Sequence, residues 1–209
     1  MKRSTVLTLR KIGFIDFLRK NKILILMCIM FTAGCVASSI IYPENKNLQK
    51  IISDCFDNFL LHREGKKFFA VFINSFAEHI LFLFFIFLGG SSIFGAVLIP
   101  FIILVKGMYC GGFSALLYSD FALKGVAFNA LIYIPPMIIF VLCLFYAAKE
   151  SMGFSITLAR ISLPNCPPAN ISVEFKNYSG KFLIFLFVCL LSALVDASLS
   201  TSLLHFFNF

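Results

Sequence analysis

The sequence predicts an all-α polytopic membrane protein, a bundle of about five transmembrane helices with a further amphipathic helix outside the bilayer. Three observations lead there. Of 209 residues, 60% are hydrophobic and only 13% are charged, against about a quarter charged in an ordinary soluble domain. The apolar residues come in blocks of roughly 20, the length that crosses ~30 Å of hydrocarbon, rather than in periodic stripes. Basic residues gather beside those blocks, as residues that orient spans do. On that reading the net charge of +8 marks a membrane surface and not nucleic acid. One bundle uses the whole chain, so residues 1–209 are expected to form a single integral membrane domain.

The elements follow in order. Before the first apolar block, Lys2, Arg3, Arg10, Lys11, Arg19, Lys20 and Lys22 face one acid, Asp16, with Ile12, Phe14, Ile15, Phe17 and Leu18 interleaved. This pattern predicts a short helix on the cytoplasmic membrane surface. The first span covers 23–42. Its apolar run is too long for a signal peptide and continues past Cys35, which argues against a lipoprotein signal at TAGC. The next segment carries Leu48, Ile51, Ile52, Cys55, Phe56, Phe59 and Leu60 at helical spacing. An amphipathic helix is therefore expected over about 47–61. It either lies on the membrane or caps the bundle. Alternatively its polar face, with Lys50, Asp54 and Asp57, docks an extracytoplasmic partner.

The second span is expected over 68–88 and the third over 93–118, with a short turn at 119–124. The fourth covers 125–147. A polar stretch at 149–180 follows, where Pro164, Pro167 and Pro168 break any helix. The fifth span covers 182–207. An N-terminus inside the cell places eleven Lys or Arg on inner segments and six on outer ones, the arrangement the positive-inside rule prefers. Five crossings then put the C-terminus outside.

Three charges interrupt the apolar blocks: Glu78 in the second, Lys106 in the third and Asp196 in the fifth. Each costs ~2.5–3.5 kcal/mol at the bilayer centre on insertion scales. Their similar depth predicts that they meet inside the bundle, with Lys106 approaching Asp196 or Glu78. Asn74, one turn before Glu78, joins this polar cluster. Two carboxylates and one ammonium leave a charge of −1, so one carboxyl is expected to hold its proton. Gly107, Gly111 and Ala115 form a small-residue seam at four-residue spacing, suited to close helix packing. Pro135 and Pro136 should break or kink the fourth span and free backbone carbonyls. The cluster reads as a structural lock on helix register, or else as a transport site. No Gly-rich phosphate loop, HExxH or nucleophile beside a base occurs, so the chain does not read as an enzyme. Seven cysteines without a CxxC pair read as buried small hydrophobes. No cofactor or metal is expected.

The run FLGGSSIFGAVLIPFIILVKGMYCGGFSALL, then FALKG, then YIPPMIIFVLCLFYAAKESMGFSITL, resembles the stage II sporulation protein M family. Gly89, Gly95, Pro100, Lys106-Gly107, Gly111, Lys124-Gly125 and Pro135 occupy the family's places in order, over about residues 87–158. Pro136 and Met137 stand where members commonly carry a polar or acidic residue. The resemblance implies a polytopic scaffold in the plasma membrane during endospore formation. It also implies extracytoplasmic peptidoglycan-degrading partners resembling stage II sporulation proteins D and P, which together drive engulfment. A small permease, or the membrane subunit of a transporter using the central charges, is the alternative.

Overall fold

A computed structural model describes residues 21–162 and 171–207. The described chain is helical, with α1 at Lys22–Ile41, α2 at Lys46–Leu61, α3 at Phe68–Gly90 and α4 at Gly95–Phe128. A π-helical turn, Asn129–Tyr133, leads into α5 at Ile134–Ile161. The last long helix, α6, covers Ile171–Leu203. The basic segment before Asn21 and the prolines of 163–170 lie outside the described residues.

Apolar chain runs in helical segments from Gly95 to Ile161, 67 residues, about 100 Å if it were one straight helix at 1.5 Å per residue. It is not straight. Ala122 has φ 46° and ψ −124°, and the chain turns back there. Asn129 Nδ2 donates to Ser114 Oγ (3.1 Å) and to Tyr118 Oη (2.6 Å). A straight helix would hold Asn129 about 22 Å from Ser114. The expected turn at 119–124 is therefore a one-residue break flanked by helix. The rest of the predicted loop keeps helical hydrogen bonds, which a low-dielectric surrounding demands.

Helix α1 packs most extensively on α4, and the small-residue seam is the reason. A Cβ on Gly107 would fall 2.3 Å from the Phe31 carbonyl oxygen, and one on Gly111 2.2 Å from that of Cys35. The two backbones touch, and Ser39 Oγ donates across the contact to the Gly111 carbonyl (3.1 Å). Ala115 continues the seam, partly buried against the core. Helices α3, α5 and α6 pack mutually and close the bundle around α4.

Helix α2 starts at Asn45, whose side chain accepts from the amides of Asn47 (3.0 Å) and Leu48 (3.2 Å), satisfying donors that a helix start leaves open. Its apolar stripe buries Ile52, Phe56 and Phe59. Phe59 meets Phe113 edge-on at 5.2 Å between ring centroids, and Phe56 lies 5.5 Å from the same ring. The helix thus caps the bundle end that carries the α1–α3 connection.

The stretch after residue 147 differs from its expectation. Helix α5 continues to Ile161, and α6 begins at Ile171 rather than near 182. The charged side chains there are exposed or partly exposed, while Ser151, Phe154, Ser155 and Tyr178 are buried. Tyr178 Oη donates to the Phe87 carbonyl (2.9 Å) and pairs with Ser151 Oγ (2.9 Å). Ser155 Oγ donates to the Ser92 carbonyl (2.7 Å) and accepts from the Ala96 amide (3.1 Å). These bonds hold the α3–α4 turn against α5 and α6, so the helices extend past the apolar blocks to reach it.

Candidate functional site

Four charged side chains meet within the bundle as two ion pairs. Lys106 Nζ on α4 lies 3.1 Å from Glu78 Oε1 on α3. Asp196 Oδ2 on α6 accepts from Arg63 Nη2 at 2.5 Å. Arg63 comes from the link between α2 and α3, yet its side chain is only 4% exposed. Low local dielectric strengthens both pairs and makes an unpaired member expensive.

Each pair has supporting groups. Ser75 Oγ hydrogen-bonds Asp196 Oδ2, and Ser200 Oγ donates to Oδ1 (3.2 Å). Arg63 donates to the Phe59 carbonyl (3.3 Å) and stacks over the Phe59 ring at 3.5 Å. Lys106 is 2% exposed and surrounded by aromatic faces: Phe82 at 4.4 Å, Tyr109 at 4.9 Å and Phe140 at 5.2 Å from Nζ. Ring quadrupoles attract the ammonium and replace part of its hydration. His79 stacks on the other ring neighbour, Phe140, at 4.1 Å.

Two cavities adjoin these groups. The larger, about 450 Å³, opens between α2 and α3 and is lined by Cys55, Asn58, His62, Asn74 and Glu78. A smaller one, about 30 Å³, lies deeper, against Arg63, His79, Lys106, Tyr133 and Asp196. Glu78, 34% exposed at its side chain, borders both. On α2, burial pushes the Cys55 thiol pKa up, and the nearby Asp54 and Glu78 charges push the same way. Lys50, Asp54 and Asp57 are exposed on the opposite face of that helix. Among the described residues no group of His, Cys, Asp and Glu is arranged to hold a metal ion.

Comparison with protein families decides the identity at this level. The model of the family "Stage II sporulation protein M" matches residues 23–201. The chain belongs to that family. It is a sporulation-related membrane protein. Comparison with curated proteins finds no match, and comparison with solved structures finds none. The region matched to the stage II sporulation protein M family contains both ion pairs, the Gly107–Gly111 seam and Pro135–Pro136.

Several expectations need correction in this family member. Lys106 meets Glu78, one of the two partners expected for it, but the three charges do not form one cluster, because Asp196 is paired by Arg63. The centre is then two cations with two carboxylates, so the predicted charge of −1 and its protonated carboxyl fall away. Asn74 lines the larger cavity together with Glu78 and Arg63. Pro135 and Pro136 stand in the first turn of α5, and the irregularity lies before them, as the π-turn. The Pro136 carbonyl, which the prolines do not free, accepts from Ser192 Oγ on α6 at 2.8 Å.

Arg63 is the residue that sequence reasoning missed. By its place in the chain it counts among the six outer basic residues that set orientation. A signal was available. Ile52, Phe56, Phe59 and Arg63 follow one another at steps of four, three and four, so Arg63 extends the buried stripe of α2.

Proposed function

We propose that this protein is a multi-pass scaffold of the plasma membrane that presents extracytoplasmic peptidoglycan-degrading enzymes to the cell wall during engulfment. The chain crosses the bilayer five times, with the N-terminus in the cytoplasm and the C-terminus outside. The partners are hydrolases resembling stage II sporulation proteins D and P, and the protein itself catalyses nothing. The observation that carries this reading is the way α2 is held. Its apolar stripe is buried by Ile52, Phe56 and Phe59, and the chain just beyond it is tied to α6 through Arg63 and Asp196. Lys50, Asp54 and Asp57 therefore project from a fixed surface at the bundle end. A preorganised polar face loses little freedom on binding.

Transport is the second reading, favoured by the charges and cavities around Glu78. A through-path would have to pass Ile99, Ile103 and Phe140, each 0% exposed, on the far side of Lys106. Exchange of Asp54 and Asp57 for Lys tests the scaffold. Co-purification of the hydrolases from sporulating cells should fall while the membrane level of the protein stays constant. Unchanged recovery would reduce α2 to a structural cap.

A further inference from the structure

The charged centre contains buried polar atoms left short of hydrogen-bond partners among the described residues. Arg63 Nε and His79 Nδ1 have no hydrogen-bond partner among the described residues, and the Tyr133 hydroxyl has at most the weak thiol of Cys110. Their residues are 5%, 8% and 7% exposed. All three line the same small cavity, about 30 Å³. A cavity needs ~10–15 Å³ to hold a water, which then makes about two to four hydrogen bonds. The inventory fits: Arg63 Nε donates, the Tyr133 hydroxyl donates or accepts, and His79 Nδ1 does one or the other by tautomer.

Phe59, Arg63, Glu78 and Tyr109 border both this cavity and the 450 Å³ one that opens between α2 and α3. The larger cavity offers Asn58, His62 and Asn74 as further polar lining. Beyond Lys106 the character changes. Ile99, Ile103 and Phe140 are wholly buried, and Leu83 nearly so, with no polar group among them.

We propose that the two cavities form one water-filled vestibule, entered between α2 and α3, passing the Glu78 carboxylate and ending at Lys106. Its ligand is ordered water, bridging Arg63 Nε, His79 Nδ1 and Tyr133 Oη. The vestibule is one-sided. It hydrates both ion pairs from a single end of the bundle and offers no route to the other. The inference is independent of the scaffold reading, since a protein with a blind vestibule could dock any partner or none.

Two measurements on the full chain in lipid nanodiscs test it. The first is radiolytic hydroxyl footprinting of the unaltered protein, which modifies side chains next to water. Met137 borders the deep cavity, whereas Met27 is wholly buried in packing. Met137 should be modified at least tenfold faster than Met27, and equal rates would overturn the enclosed water. The second uses single-cysteine variants with all native cysteines replaced, probed by a water-soluble cationic methanethiosulfonate. Ala77→Cys, on the vestibule wall, should react at least tenfold faster than Ile80→Cys, in the apolar α3–α6 groove. Ile103→Cys should stay unreactive. Equal rates at Ala77→Cys and Ile80→Cys would remove the vestibule, and a reactive Ile103→Cys would mean that the path runs through.

Discussion

Arg63 Nη2 lies 2.5 Å from Asp196 Oδ2, joining positions 133 residues apart. A residue from the α2–α3 link thereby neutralises an acid in the last long helix. Partner-specific rescue follows from the geometry. Removing one member of a buried pair costs about 3–5 kcal/mol, because the survivor stays buried and unpaired. Arg63→Met should therefore lower the folded yield sharply, and Asp196→Asn in the same chain should restore much of it. Lys106→Met should be rescued by Glu78→Gln and not by Asp196→Asn. Fluorescence-detected size exclusion in detergent reads the folded fraction. Rescue that ignores partner identity would mean that the pairs are not discrete.

The seam between α1 and α4 gives a second expectation. A methyl at Gly111 would meet the Cys35 carbonyl oxygen at 2.2 Å, and backbone cannot yield as a side-chain tip can. Gly111→Ala should lose about 1–3 kcal/mol, the usual range for overpacking. Gly153 has nothing within 4 Å of its built Cβ, so Gly153→Ala should match or exceed the parent, as helix propensity favours Ala. Apparent melting temperatures in one detergent compare the two. Equal shifts would show that α1 is not packed backbone to backbone.

A third expectation concerns pH. The Cys55 thiol pKa is raised by burial, then by Asp54 and Glu78. A raised pKa means less thiolate at any pH below it, and the thiolate is the nucleophile. In a background where Cys55 is the sole cysteine, its alkylation by iodoacetamide should reach half-maximal rate above the ~8.5 of a free thiol. Asp54→Asn removes a negative neighbour, so it should move the midpoint down and speed the reaction at pH 8. A midpoint at or below the free-thiol value would contradict the packed position of α2.

The parts of this molecule that could be read from sequence are those whose cause is local. Block length gives α1 and α3 within a few residues, because hydrocarbon thickness fixes both. Glu78 and Lys106 stand out because charge is rare in such blocks, and small residues at 107 and 111 mark a close helix contact. Arg63 escaped because its burial depends on a partner 133 positions away. The buried face of 151–155 escaped too, since polar Ser151 and Ser155 are buried to bind the α3–α4 turn, a tertiary reason invisible in composition. Asn129 was hidden likewise: its partners Ser114 and Tyr118 come within reach only after the chain turns at Ala122.

Membrane orientation is the fourth expectation. A periplasm-active reporter fused after Phe209 should be active, and one inserted between α5 and α6 should be silent. A cytosol-active reporter should give the reverse. A silent C-terminal reporter would change the number of crossings, and with it the side on which α2 stands.

The scaffold reading is tested most directly by a photo-crosslinking residue placed singly at Asp54, Asp57 or Ala70, the last at the exposed start of α3. Sporulating cells are irradiated and the adducts identified by mass spectrometry. Scaffolding through the polar face of α2 predicts adducts with a peptidoglycan hydrolase from positions 54 and 57, and none from position 70. Absence of hydrolase adducts at both α2 positions, with the protein at normal level in the membrane, would contradict it.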